Sequence, residues 1–107
     1  MSQSGKPVPY INCFEVPAGR EAEFLKMFEE VNAYMRSRRG YVSHRLHRSL
    51  AADARYRFVN YVLWESVEDF RAAHGEEFRK MVGRPGWREF KATPGLYEVV
   101  DEGGYSG

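Results

Sequence analysis

One cysteine, no long apolar run and almost no net charge: each shortage removes a class of function. Cys13 has no second thiol to join, so no internal disulfide can form, and no CxxC spacing offers zinc its ligands. A reducing, cytoplasmic setting is the expectation. No apolar stretch approaches the ~20 residues that cross a bilayer, and no signal-peptide pattern opens the chain, so a membrane role is not expected. Sixteen Lys and Arg against 15 Asp and Glu leave a net charge of +1. That gives no global field to draw in nucleic acid or anionic lipid. No glycine-rich phosphate loop follows a strand, no nucleophile elbow is present, and no His/Asp/Glu set has metal spacing. His44 and His47 are three apart, which on a strand sends them to opposite faces. The expected metal content is none.

What the chain does have is apolar and aromatic mass. Of 107 residues, 43% are hydrophobic and 15% aromatic, enough for one core and too few for two. A single domain over 1–107 is expected, its core running from about 8 to 100, with loose polar or glycine-rich ends at 1–6 and 102–107. Val8 to Val16 reads as a strand closed by the turn Pro17-Ala18-Gly19. A helix follows from about Arg20 to Ser37, with Phe24, Phe28, Val31 and Met35 on one stripe and Leu25 and Tyr34 widening it. Glu21 and Glu23 at its start and Arg36 near its end suit the helix dipole, and Gly40 stops it. Strands are expected at Tyr41 to Leu50 and Tyr56 to Trp64. Ser66 then caps a second helix reaching about Val82, with a kink expected at Gly75. Gly83 to Thr93 reads as loop with one turn around Trp87 to Phe90, and Gly95 to Val100 as the last strand.

The order is βαββαβ, which makes an α+β, ferredoxin-like fold: a four-stranded antiparallel sheet with two helices on one face. Along the third strand Tyr56, Phe58, Val62 and Trp64 point one way, and Val59, Tyr61 and Leu63 the other. Helices cover only one of those faces, and a wet second face would alternate cleanly with polar residues. The outer face is therefore expected to meet the sheet of an identical subunit, giving a homodimer.

The stretches "INCFEVPAGREAEF", "YRFVNYVLWES" and "DFRAAH", in this order at this spacing, resemble the antibiotic biosynthesis monooxygenase (ABM) superfamily from about Val8 to Val100. The resemblance implies a dimeric α+β barrel with a pocket between the helices and the sheet of each subunit. It implies, for one branch, oxygenation of phenols, quinols or anthrones by O2 without metal or flavin, hence no cofactor. For a second branch it implies haem binding and oxidative haem degradation. Of that branch's three signature residues this chain has the strand asparagine, Asn12. Ala73 stands where its helix tryptophan would be, and Met81 and Val82 where its ligating histidine would be. A third reading is a non-catalytic dimer that holds a small hydrophobic or aromatic molecule.

His74 leads the candidate residues, since it falls on the apolar stripe of the second helix where a leucine would pack better. A near-neutral imidazole facing an aromatic hollow can take the proton of a phenol, and the anion gives an electron to O2 more readily. The structural alternative is a core histidine bonded to a backbone carbonyl. Asn12 breaks an apolar strand between Ile11 and Cys13, and a buried amide needs a partner, whether backbone, substrate or O2. Asn60 is a similar case. Trp64, Trp87, Phe28 and Phe70 are the expected substrate-contacting aromatics, Trp64 also being a natural core residue and Trp87 part of a lid. Tyr10, Phe24 and Phe58 read as core, as Phe28 also does. Arg36, Arg38, Arg39, His44, Arg45, His47 and Arg48 crowd one turn, either as a solvated surface or as an anion contact.

Overall fold

The computed structural model describes residues 6–107, so the expected loose N-terminus lies outside the described residues except for Lys6. Its elements run β1 (Val8–Glu15), α1 (Glu21–Arg36), β2 (Tyr41–Arg48), β3 (Phe58–Trp64), α2 (Val67–Ala73), α3 (Glu76–Val82), a 3-10 turn (Pro85–Glu89) and β4 (Lys91–Leu96). All strand pairs are antiparallel and the sheet order is β2-β3-β1-β4, the ferredoxin-like arrangement.

Helix α1 buries Phe24, Val31 and Met35, the stripe its periodicity marks. The chain then turns through Gly40, whose φ of +87° suits a residue without a Cβ. A side chain there would also collide with Asp69, while the Gly40 carbonyl accepts from Glu65 N–H at 2.8 Å. Ser66 caps α2 as expected, its Oγ accepting from Asp69 N–H at 3.0 Å.

Two expectations need correction. The second helix is not one piece with a kink. It ends at Ala73, His74 leaves helical geometry (φ −95°, ψ 38°), and Gly75 starts α3. A glycine in mid-pattern costs about 1 kcal/mol relative to alanine, and here the chain breaks instead of bending. The last strand is Lys91–Leu96 rather than Gly95 to Val100. Pro94 misleads a linear reading, because proline is tolerated on an edge strand and β4 is an edge. Pairing reaches only one residue further, Tyr97 N–H donating to Pro9 O at 2.8 Å. Residues 98–107 carry no regular structure.

The inner face of the sheet packs under the helices in two clusters. Phe14, Phe24, Phe58 and Phe90 form one; Val31, Met35, Val62, Trp64 and Ala73 form the other. Trp87 packs against both. Between them the packing does not close, and a cavity remains.

Candidate active site

The cavity holds about 390 Å³, within the range of small-molecule sites. The sheet contributes Asn12, Asn60 and Trp64 to its wall; α1 contributes Phe28; the segment after α3 contributes Trp87. His74 closes one side from the junction of α2 and α3. Phe70 does not line the cavity. It lies behind His74, ring centroids 4.1 Å apart, and with Phe78 at 4.7 Å, Tyr10 at 5.3 Å and Trp64 at 5.8 Å encloses the imidazole in rings. Trp87 is half-buried, meeting Phe24 and Phe90 edge-on and Phe14 at a tilt.

The tautomer of His74 follows from its partner. Its Nδ1 is 2.8 Å from Phe70 O, and a carbonyl only accepts, so Nδ1 carries the hydrogen. Nε2 then keeps its lone pair. Burial pushes the imidazole pKa below its ordinary value, and the bond to Phe70 O opposes this more weakly. At neutral pH the ring is an uncharged base.

Three buried polar atoms of the cavity-lining residues have no partner among the described residues: Asn12 Oδ1, Asn60 Oδ1 and Trp64 Nε1. Asn12 and Asn60 face each other across β1 and β3. An unmet buried polar group costs about 1–3 kcal/mol. Packing alone favours apolar side chains at such positions, and all three residues line the same cavity as His74.

Sequence reasoning missed part of this wall. Tyr10, read as core, also lines the cavity, and burial raises its pKa to about 12. Asn32 and Tyr41 line it as well, linked to each other and to His44 by hydrogen bonds. Asn32 was visible as an amide inside an apolar helical stripe. The Arg/His-rich turn is partly absorbed by the surface: Arg48 pairs with Glu21 at 3.1 Å and Arg38 lies over the Tyr34 ring at 4.7 Å. His44 faces inward and His47 outward, as their strand pairing with Val62 and Val59 requires.

Several solved structures share this architecture. A candidate monooxygenase from Shewanella loihica is 30% identical, covers 94% of this chain and 100% of its own, and superposes with a TM-score of 0.80. SnoaB of Streptomyces nogalater, a cofactor-independent oxygenase, is 26% identical over 90% of this chain and 95% of its own, TM-score 0.75. A variant of MhuD with two manganese protoporphyrin IX bound per active site is 29% identical over 92% of this chain and all of its own, TM-score 0.71. No curated protein matches the chain. Residues 8–92, which carry every strand except the end of β4 and all three helices, match the family described as antibiotic biosynthesis monooxygenase, and the chain belongs to that family.

Proposed function

We propose that the chain is a monooxygenase acting on an electron-rich aromatic, a phenol, quinol or anthrone, with O2 and without metal or flavin. The observation that carries this reading is the free Nε2 of His74, held in an aromatic-walled cavity beside three orphaned polar atoms. His74 removes the phenolic or benzylic proton, and the resulting anion passes an electron to O2. Recombination forms the C–O bond. The peroxide then loses the proton remaining on that carbon and its outer oxygen, which leaves as water with the proton returned by His74. The CH2 of an anthrone, or the O–H and para C–H of a phenol, together with O2 thus become a carbonyl (for the phenol, a quinone) and water, four electrons passing from the substrate to oxygen. Trp64 N–H suits the developing oxyanion, which it would bind more strongly than the neutral substrate, while the orphaned Oδ1 atoms of Asn12 and Asn60 can accept from a substrate hydroxyl. The likeness to a cofactor-independent oxygenase supports the same reading.

Haem is the second candidate ligand, supported by the likeness to MhuD and by the free imidazole nitrogen. The cavity wall does not fit it well, because haem brings two carboxylates and, among the described residues, no Lys or Arg lines the cavity. One set of titrations separates the readings. Anthrones and hydroquinones should raise O2 uptake well above the buffer rate, and hemin should give no sharp Soret band at one equivalent. Uptake equal to buffer across a broad panel would refute the oxygenase reading, and a stoichiometric band lost in His74→Ala would replace it with haem.

The proposed assembly is a homodimer in a reducing, cytoplasmic setting. The outer sheet face presents Ile11, Cys13, Val59, Tyr61 and Leu63 with no described helix over it, and Tyr61 is 36% exposed. No described helix is long and apolar enough to cross a membrane. Size-exclusion chromatography with light scattering should report twice the chain mass at micromolar concentration; a monomer would contradict the pairing.

A further inference from the structure

The cavity has a second polar end that the chemistry above does not use. Tyr41 and His44 are three residues apart on β2, a spacing that ordinarily puts side chains on opposite faces. A register irregularity between Tyr41 and Ser43 supplies the extra residue that brings both inward, Tyr41 pairing with Trp64 and His44 with Val62. Bulges of this kind recur beside active sites because they re-aim a side chain. From α1, Asn32 reaches between the two. Tyr41 Oη donates to Asn32 Oδ1 at 3.2 Å, and Asn32 Nδ2 lies 3.3 Å from His44 Nε2.

Each link fixes the sense of the next. With Asn32 Oδ1 occupied by the tyrosine hydroxyl, the amide presents N–H to His44, so His44 Nε2 accepts and the ring is neutral. Burial and the nearby Arg36 charge both favour that neutral form. The pKa of Tyr41, raised by burial to about 12, keeps its phenol intact. The single hydrogen of Tyr41 is therefore committed to Asn32, and its hydroxyl offers the cavity lone pairs only. Trp64 lies between this end and the other, its ring 5.3 Å from Tyr41 and 5.8 Å from His74.

We infer that Tyr41 is a specificity-determining residue which accepts a hydrogen bond from a second hydroxyl of the aromatic ligand, with Asn32 and His44 as positioning residues that hold it in the accepting sense. The inference rests on the phenolic reading of the site and extends it: the ligand carries two oxygens, one at His74 and a hydroxyl at Tyr41. A carbonyl at the Tyr41 end meets lone pairs with lone pairs. The site thus prefers the phenol to a keto form at that position.

Calorimetry under anaerobic conditions with two probes tests this without turnover. 1,5-Dihydroxynaphthalene and 5-hydroxy-1-tetralone share one hydroxyl for the His74 end and differ in offering a donor or an acceptor at the other. The diol should bind roughly ten- to a hundredfold more tightly, the range expected for one hydrogen bond made against one acceptor left unpaired. That ratio should fall at least fivefold in Tyr41→Phe and in His44→Leu. In His44→Gln it should persist, since a glutamine carbonyl can accept from Asn32 in place of Nε2. An equal ratio in wild type and Tyr41→Phe, no preference in wild type, or no binding of either probe at millimolar concentration would overturn the inference. O2 uptake is read separately: the expected ratios without uptake would sink the oxygenase reading and leave the recognition standing.

Discussion

His74→Ala should lower turnover of any accepted phenol or anthrone by about 10²–10⁴-fold, the usual contribution of a positioned general base. The fold should survive. The backbone N–H of His74 still bonds Phe70 O at 3.2 Å, so α2 keeps its end. What is lost is the ring inside its cage of Phe70, Phe78, Tyr10 and Trp64, together with one hydrogen bond, about 1–2 kcal/mol. This is more than the sequence alone suggests, because the aromatic cage and the carbonyl partner are tertiary facts. The pH profile of kcat/KM carries the sharper test. His74 must be neutral to act, and its folded pKa lies below the ordinary value of about 6.5, so the acid limb should fall below pH 6.5. Stability has the matching sign. Between about pH 6.5 and the lowered folded value the unfolded chain takes up a proton that the folded chain resists, so stability decreases as pH falls through that window. His44 adds in the same direction. Activity within threefold of wild type in His74→Ala, or an acid limb centred above pH 7, would remove the proton-transfer role.

Phe24→Ala should cost about 3–5 kcal/mol, the range for a fully buried phenylalanine and a large share of the 5–15 kcal/mol that holds a domain together. Phe24 has no exposed surface. Its ring stacks on Phe58 at 4.8 Å and meets Phe14 at 4.9 Å, Phe90 at 5.5 Å, and Phe28 and Trp87 at 6.0 Å. The buried side chains clustered with it are all rings, which interlock rather than flow, so the space would fill poorly. Urea unfolding should show a lower midpoint at unchanged slope, and the thermal midpoint should drop by more than about 12 °C. Phe24 does not line the cavity, yet Phe14, Phe28, Trp87 and Phe90 do, so ligand binding should weaken with stability. A loss under 1 kcal/mol would mean that the cluster repacks and that the cavity wall is softer than its ring contacts imply.

Much of this molecule is legible along the chain. The α1 stripe, the Ser66 cap and the two-faced third strand were all readable from periodicity and capping chemistry, because each depends on residues within a few positions of one another. His74, Asn12 and Asn60 stand out as polar residues at apolar positions, and that mismatch is itself the signal. The misplaced β4 and the broken second helix have one cause. Pro94 and Gly75 carry local penalties, and whether the chain tolerates them depends on sheet edges and packing that no window of sequence contains.

By itself the sequence determined the order of the main elements, the buried stripe of α1, the two faces of β3 and the polar exceptions, since side-chain spacing settles them within one helix or strand. Only the tertiary structure decided that the exceptions from β1, β3 and the α2 end meet in one cavity. It alone placed Phe70 behind His74 and, through an irregularity in β2, put Tyr41 and His44 on the same side. Those outcomes depend on strand register and on how two aromatic clusters fail to close the space between them, and both are set by contacts far apart in the chain.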